Sequence, residues 1–275
     1  GTAAAESGRV LFAGVLREPT NAKNAHNPHP AFRDLGDQAC PPWPVRQAPQ
    51  VASAPVEPIA SGAMALAAAN FVSDDDGVLR RMTPTYRVGD RCVPYLGLAS
   101  ALGFLAADDG SFPTVTIEPG ILRVGARTLP LDNDGRMNLD WHGPGGPAGR
   151  AQNSFRYTPM YDVLLASQEL DQGSPTTLDL SRFQDKIVLI GSTAPGLMDL
   201  KPTPMSEFGP YPGVEVVATA AANILAERAL RVPEGPWVLV ITLVLALLVG
   251  LVTALRENLV WYAVITIGLT ALYTV

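Results

Sequence analysis

The sequence predicts an α/β fold, a mixed sheet with flanking helices, followed by transmembrane helices. "KIVLIG" at 186–191 is an unbroken apolar strand of the kind buried on both faces of a parallel or mixed sheet. Short β runs separated by turn residues fill 114–143, and a long alanine-rich helix is predicted over 213–230. The run at 237–255 has no ionisable residue, which predicts the first membrane helix.

The elements follow in chain order. A strand-like run at 10–16 leads into a stretch at 17–58 whose dense prolines prevent a regular helix or a central strand, so it is predicted to be a long surface loop. An acidic turn at 74–77 precedes an alternating strand, and "YLGLASALGFLAA" at 95–107 has helical spacing.

Turn residues divide the second half of the domain into short hairpins. Pro119-Gly120, Gly125 and the Asn-Asp-Gly triplet at 133–135 separate β runs of a few residues each. "MYDVLLASQEL" at 160–170 is a predicted helix between these hairpins and the strand at 186–191.

The C-terminal part predicts two membrane spans, at 237–255 and 259–275. Apolar residues make up 47% of the chain and charged residues 17%. A helix of about 19 residues rises roughly 28 Å, close to the hydrocarbon thickness of a bilayer. The alternative is a buried core helix, but such helices are usually shorter and keep one polar face. Both ends of the chain look cut, and the opening is not a signal peptide, so we expect a segment of a larger membrane protein.

Charge and cysteine content exclude several classes of protein. The net charge is −6 and there is no dense Lys/Arg stripe, so no nucleic-acid partner is expected. The two cysteines, Cys40 and Cys92, exclude a disulfide-stapled miniprotein and a four-cysteine zinc site. Spacing leaves open whether they form a disulfide.

The loop after the strand at 186–190 only partly matches a phosphate-binding loop. Gly191 and Gly196 have the required spacing, but Leu197 and Met198 stand where that motif needs Lys and Ser/Thr. Lys201 lies five residues beyond Gly196. We therefore expect no nucleotide here. No nucleophile elbow or acid–base pair is found, and no catalytic residue is predicted in this segment.

Three weaker cation patterns give no predicted metal site. The acidic turns starting at Asp74 and Asp132 resemble calcium loops, but the twelfth positions, Thr85 and Gly143, carry no carboxylate. Both are interpreted as solvated turns. His26 and His29 could ligate a metal together with Cys40, but they lie in the proline-rich stretch without helical spacing, and polar surface is the preferred reading.

Several blocks, taken in order, resemble the second-type CHASE domain, the cyclase- and histidine-kinase-associated sensory extracellular domain. They are "NFVSDDDGVLRRM", "VPYLGLASAL", "LPLDNDGRMNLDWHGPGG", "FRYTPMYDVLL", "FQDKIVLIGSTAPGLMDLKPTP" and "PGVEVVATAAANIL". The resemblance covers 8–230 and is strongest around Gly191, Asp199, Pro204 and the Pro-Gly pair at 212–213.

The resemblance implies an extracytoplasmic sensor joined by membrane helices to a cytoplasmic output module. That module is commonly a class III adenylate or guanylate cyclase, which would use ATP or GTP with Mg²⁺ or Mn²⁺, or a histidine kinase or serine/threonine kinase. The segment itself is expected to hold no cofactor. The family's opening membrane helix and first strand–helix units are absent here, and the stretch at 17–58 is unusually long. A ligand-free structural or assembly domain is the alternative.

One set of residues is predicted to carry the signal from the sensory core to the last helix of the domain. Gly191, Asp199, Pro204 and Gly213 are expected to couple the sensory core to the last helix, and the loop that holds them is not expected to be catalytic. The extracytoplasmic ligand is unknown.

Homodimerisation is expected along the exit helix and the first membrane helix. Ala218, Ala220, Ala221 and Ala222 on the former, and the small-residue stripe Ala246, Gly250 and Ala254 on the latter, permit close helix approach. With Arg256 between the two apolar runs, the positive-inside tendency places residues 1–234 in the periplasm or outside the cell, with the helices in the bacterial inner membrane.

Overall fold

The computed structural model shows two compact units, Gly1–Arg231 and Val232–Val275. The structure describes residues 9–17, 32, 34–40, 51–53, 55–88, 91–106, 111–146, 155–193, 199–206, 211–232, 236–254 and 267–268. The predicted α/β composition is confirmed. In place of one mixed sheet, however, the described residues form five small sheets of two or three strands.

The first sheet is mixed and lies at the N-terminal side of the core. Strand β1 (Leu11–Arg17) pairs antiparallel with β2 (Val51–Ser53) and parallel with β3 (Ala65–Ala68), whose residues are all buried. The strand predicted at 10–16 is therefore confirmed.

The interpretation of 17–58 as a surface loop is only partly correct where the structure describes it, since Asp34, Gly36 and Gln38 are exposed and other residues are not. Phe32, Ala39 and Cys40 are buried in the core, and a helix, α1, occupies Glu57–Ala60. These residues are held in the core by apolar packing and by a covalent bond, because Cys40 forms a disulfide with Cys92 and so fixes this part of the chain against the core.

Hairpins form the middle of the first unit, as the turn residues predict. The turns at Gly120 and Gly125 have φ of 74° and 57°, which is left-handed backbone that favours glycine. The strands of this region are β4 (Arg81–Met82), β5 (Thr85–Val88), β6 (Arg91–Pro94), β7 (Val115–Glu118), β8 (Ile121–Val124), β9 (Arg127–Pro130) and β10 (Met137–Leu139). Strands β7, β8 and β9 make an antiparallel meander, and β5 pairs with β6.

Two helices of the first unit pack closely together. These are α2 (Leu96–Leu105) and α4 (Gly213–Ala226). A methyl group at Gly97 would lie 2.7 Å from the Cβ of Ala220, so only glycine permits this approach. The exit-helix part of the predicted dimer surface is thus wrong for Ala220 and Ala221, which are 0% and 3% exposed because they pack inside the protomer.

The remaining elements of this unit surround the start of α4. Helix α3 occupies Met160–Asp171. Strand β11 (Leu200–Lys201) pairs antiparallel with β12 (Tyr211–Pro212), which leads directly into α4. After α4, β13 (Ala229–Leu230) joins β10, which also pairs with β4.

The prediction of a buried central strand at 186–190 is wrong. This segment has no assigned strand, and Val188 and Ile190 are 53% and 78% exposed. An apolar run becomes a central strand only when strands flank it on both sides. The described strands pair with one another and with none of these residues. Of the segment 186–190, only Leu189 packs against the core, and its side chain is partly buried.

The second unit contains helix α5 (Pro236–Ala254), which coincides with the first predicted span. Nearly all of its described side chains, from Trp237 to Leu251, are exposed. Within the described parts of the chain, no helix combines the length and the apolar character that a membrane crossing needs. The span at 237–255 therefore stays a prediction. The one at 259–275 lies outside the described residues except at 267–268.

Candidate functional site

The first turn of α4 is contacted by two loops that the sequence singled out. The Gly213 amide donates a hydrogen bond to the backbone oxygen of Asp199 at 2.7 Å. A methyl group at Gly191 would lie 2.6 Å from the Cβ of Val214. The structure thus brings Gly191, Asp199 and Gly213 together, as the predicted coupling site requires, while their role in signalling stays a prediction.

Pro204 lies in the turn that follows Asp199 and is itself exposed. The turn is closed by side-chain hydrogen bonds, since the Thr203 amide donates to Ser206 Oγ at 2.7 Å and the Met205 amide donates to Thr203 Oγ1 at 3.2 Å. The Leu79 amide donates to the backbone oxygen of Pro202 at 2.8 Å, which ties the turn to the core. Pro204 therefore lies in a loop that is hydrogen-bonded to the core, and its predicted part in coupling stays a prediction.

Asp199 supplies negative charge at the N-terminus of α4. The N-cap residue of this helix, Pro212, gives no side-chain cap, and a carboxylate close to the first turn is stabilised by the helix dipole. Lys201 Nζ pairs with Asp199 Oδ1 at 3.5 Å and lies 5.0 Å from the centre of the Phe71 ring. The Phe71 ring in turn meets Tyr95 edge-on at 6.2 Å between centroids.

Tyr95 is a buried phenol beside this carboxylate. It is 1% exposed, and its hydroxyl has no hydrogen-bond partner. Burial raises the pKa of Tyr95 well above its usual range, and the nearby carboxylate of Asp199 raises it further. The hydroxyl is therefore protonated and remains available as a donor or an acceptor.

Glu215, also in the first turn, is a buried carboxylate that is satisfied on one oxygen only. It is 3% exposed. Its Oε1 accepts hydrogen bonds from the Gly146 amide at 2.8 Å and from the Tyr157 hydroxyl, whereas Oε2 has no partner. Burial, and then the hydrogen bond to Glu215, raise the pKa of Tyr157. A methyl group at Gly145 would lie 2.7 Å from Glu215 Oε2, so only glycine leaves space beside this oxygen.

Two aromatic side chains complete the cluster around Glu215. The rings of Trp141 and Tyr211 meet edge-to-face at 5.0 Å between centroids. The Tyr211 hydroxyl lies 3.4 Å from Thr219 Oγ1, and burial raises the pKa of Tyr211 to about 12. Trp141 Nε1 is buried without a hydrogen-bond partner.

Sequence reasoning missed Glu215, Tyr157 and Trp141. The available signal was the position of Glu215, which is the only ionisable residue in the apolar helix sequence "GVEVVATAAANILA". An acidic residue at the start of a helix is ordinarily a solvated contribution to the helix dipole. Its burial is visible only once Tyr211, Gly145, Gly146 and Tyr157 are packed around it.

Each acidic turn is solvated at its tip, where Asp75 and Asp134 are exposed. The interpretation of both as solvated turns is wrong for the first carboxylate of each turn, because arginines join these two carboxylates. Asp132 and Arg136 are each 5% exposed. Arg81 contacts Asp74 at 2.6 Å and Asp132 at 2.7 Å, and Arg136 contacts the same two carboxylates at 3.3 and 3.4 Å. The guanidinium groups occupy the positions next to the carboxylates where a calcium ion would be held.

The open question about the cysteines is resolved, because Cys40 and Cys92 form a disulfide. Cys40 is therefore not a metal ligand, and His26 and His29 lie outside the described residues. In the described parts of the chain, no group of three His, Cys, Asp or Glu side chains is placed to hold a metal ion.

A family model described as the CHASE2 domain matches residues 4–252 of this chain. No curated protein and no solved structure matches it. The family match covers most of the sequence, including every residue of the site around α4. CHASE2 domains are extracellular sensory domains of signalling proteins. The chain belongs to the CHASE2 domain family.

Proposed function

We propose that this CHASE2 domain is the extracytoplasmic sensor of a bacterial transmembrane receptor that regulates a cytoplasmic class III adenylate or guanylate cyclase. The family supports the sensory role. The cyclase is the output module that the sequence resemblance favours, and a histidine kinase or serine/threonine kinase is the alternative. ATP or GTP with Mg²⁺ or Mn²⁺ would bind to that module, not to this segment.

One contact carries the coupling part of the proposal. The loop at 199–206 is hydrogen-bonded to the core through Pro202, and its first residue is hydrogen-bonded to Gly213 at the start of α4. Helix α4 ends at Ala226, ten residues before α5 begins at Pro236. A displacement of the loop would therefore act on the last helix of the sensor, close in sequence to the proposed membrane helix.

The membrane context is supported by the sequence and by the exposure of α5. A helix of nineteen residues that is apolar on all sides and exposes its side chains is unusual in a water-soluble domain. We propose that α5 spans the inner membrane, that a second span follows Arg256, and that the first unit lies in the periplasm or outside the cell. The receptor is proposed to work as a homodimer.

The output module is tested with the full-length protein in isolated membranes. Formation of cyclic AMP from ATP or cyclic GMP from GTP, with Mn²⁺ or Mg²⁺, supports the proposal. Phosphorylation of a histidine, serine or threonine from labelled ATP, without a cyclic nucleotide, would show that the kinase alternative is correct. A membrane preparation lacking the protein is the control.

The orientation is tested by labelling intact cells with a membrane-impermeant thiol reagent. The two native cysteines are bonded to each other, so an engineered thiol is the one that reacts. Asp75→Cys, on an exposed turn of the first unit, should be labelled. Asn258→Cys, between the two apolar runs, should be labelled only after the cells are permeabilised. The reverse pattern would contradict the proposed topology.

A further inference from the structure

Buried polar atoms without partners concentrate around the first turn of α4. In the described residues, six side chains hold a buried nitrogen or oxygen that makes no hydrogen bond. Four of the six surround this turn, namely Tyr95, Trp141, Ser192 and Glu215. Such atoms are rare in folded proteins, because a buried polar atom loses its hydrogen bonds to water and is destabilising unless a partner is supplied. Their clustering points to a ligand that supplies the partners.

Each of the four side chains is tied to this turn by a contact. Glu215 belongs to the turn, and Ser192 follows Gly191, whose α-carbon packs against Val214. Trp141 packs edge-on against Tyr211, which lies two residues before Gly213.

Tyr95 reaches the turn through Asp199. The Tyr95 ring meets the Phe71 ring edge-on, and Lys201 Nζ lies 5.0 Å from the centre of the Phe71 ring. Lys201 pairs with Asp199, which lies against Gly213. The four partnerless atoms thus belong to residues that converge on one helix start from four separate parts of the chain.

The chemistry of the four atoms defines the ligand. Glu215 Oε2 needs a hydrogen-bond donor and Trp141 Nε1 needs an acceptor, whereas the hydroxyls of Tyr95 and Ser192 can take either. A hydroxyl group is both a donor and an acceptor, so several hydroxyls on one small molecule match the set. The apolar edges of Trp141 and Tyr211 offer contact area for its carbon-bound hydrogens.

Charge selects a neutral ligand. Two carboxylates, those of Asp199 and Glu215, repel an anion at this position. The positive end of the α4 dipole opposes a cation there, and Lys201 already pairs with Asp199. A neutral molecule avoids both penalties.

We propose that the first turn of α4 is a binding site for a small neutral polyhydroxyl compound, a sugar or a polyol. The site deepens the sensory function proposed above and rests on it for its biological meaning. Occupancy would act on the residues that fix Asp199 and Gly213 at the helix start, and so on the coupling contact itself.

Binding is tested by isothermal titration of the purified full-length protein with glucose, sorbitol and glycerol. At least one should bind saturably. Glu215→Gln replaces the partnerless acceptor oxygen by an amide donor of the same shape and should weaken binding about tenfold or more. Trp141→Phe keeps an aromatic ring but removes the N–H, and should weaken binding about two- to tenfold. Glu118→Gln, at an exposed carboxylate on β7, is the matched control and should bind as the original protein does.

The remaining outcomes decide against the site. Exclusion of sugars from the protein surface stabilises all proteins but does not saturate, so it gives no saturable heat of binding. If none of the three hydroxyl compounds gives a saturable heat, or if ammonium or phosphate does and they do not, the proposal is overturned. If Glu215→Gln fails to fold, as judged by circular dichroism, Trp141→Phe decides alone.

Failure of the site can be told apart from failure of the proposed function. Saturable binding that leaves cyclic-nucleotide synthesis and phosphorylation unchanged would support the proposed binding site and contradict the proposed sensory role. Regulated synthesis of a cyclic nucleotide by a protein that binds none of the hydroxyl compounds would support the sensory role and contradict the proposed binding site.

Discussion

The carboxyl group of Asp199 lies against the α-carbon of Gly213, where a methyl group would meet Asp199 Cγ at 2.8 Å. The same two residues share a backbone hydrogen bond of 2.7 Å. Because glycine has no Cβ, the carboxylate can lie over the first turn of α4 and place its charge at the positive end of the helix. The loop of the sensory core and the last helix are therefore in contact through both backbone and side chain.

Asp199→Ala and Gly213→Ala should disturb signalling in the same way. The first removes the carboxylate, and the second displaces it, because its new Cβ would occupy the position of the carboxyl group. Each should change regulated output in the full-length protein while leaving the basal rate of the output module unchanged. Since both act on one contact, the double variant should show no more than the larger single effect.

The control for this pair is Gly103→Ala in α2. A methyl group there would lie 3.4 Å from Leu11 Cδ1, an ordinary contact, so the substitution should stabilise the helix slightly and leave output unchanged. Fully additive effects of Asp199→Ala and Gly213→Ala, or unchanged regulation in both, would contradict the coupling role.

Arg136→Met should destabilise the first unit by about 3 kcal/mol. The guanidinium group is 5% exposed and bridges Asp74 and Asp132, and its removal leaves the buried Asp132 carboxylate with less compensating charge. Urea unfolding of the full-length protein, followed by circular dichroism, measures the change.

Arg80→Gln provides the comparison for this substitution. Arg80 also pairs with Asp74, but its side chain is 44% exposed, and solvent-exposed pairs contribute at most about 1 kcal/mol. Equal losses in the two variants would show that burial does not control the strength of the network.

Local sequence patterns predicted the hairpins and the long helix, but not how the turns pack. The glycines at 120 and 125 favour left-handed turns by backbone geometry alone, so the β7–β8–β9 meander could be predicted from the local sequence. The acidic turns were assigned correctly as turns, but their burial depends on Arg81 and Arg136, which approach from β4 and from the second turn. A pairing of this kind is set by tertiary structure, and no spacing rule reports it.

Loss of the Cys40–Cys92 disulfide should cost about 4 kcal/mol in the free energy of unfolding. The bond joins residues separated by 52 positions, and closing a loop of this length removes much of the conformational freedom of the unfolded chain. The unfolding midpoint in urea should fall on addition of dithiothreitol. Cys40→Ser/Cys92→Ser should be as unstable as the reduced protein and insensitive to dithiothreitol. A midpoint that reduction does not change would contradict this expectation.

The unfolding free energy should fall above pH 10, in part because of Tyr211. Burial raises the pKa of this phenol from 10.0 to about 12. A group whose pKa is raised on folding contributes stability that is fully present below its unfolded pKa and is lost as the pH rises through the folded pKa. The loss between pH 10 and 12 should be on the order of 2 kcal/mol from this residue.

Tyr211→Phe isolates this contribution, since it keeps the ring against Trp141 and removes the ionisable hydroxyl. The variant should lose less stability between pH 10 and 12 than the original protein, as measured by urea unfolding. Part of the alkaline loss should remain, because the pKa of Tyr157 is also raised. An identical pH dependence in the two proteins would show that Tyr211 does not contribute.

The residues that sequence reasoning placed wrongly are those whose environment depends on distant parts of the chain. The apolar run at 186–190 satisfies every local rule for a buried strand, yet its burial requires neighbouring strands, and the described strands pair elsewhere. Glu215 satisfies the local rule for an exposed helix start, yet Gly146 and Tyr157 enclose it. By contrast, Gly191, Asp199 and Gly213 lie close together, as their place in the short blocks of the family resemblance led us to expect, while their coupling role stays a prediction.

If α5 is a dimerisation helix in the membrane, Gly250 should lie at its contact face. Gly250 and Ala246 are exposed and four residues apart, and the side chain of Ala254 lies outside the described residues. Small residues at this spacing let two helices approach closely, so Gly250→Leu should weaken dimerisation and reduce regulated output. A disulfide should trap the dimer when Gly250→Cys is oxidised in membranes. Leu248→Cys, about 200° around the helix from Gly250, is the control and should crosslink far less. Equal crosslinking at both positions, or a monomer with normal regulated activity, would show that this face is not the dimer contact.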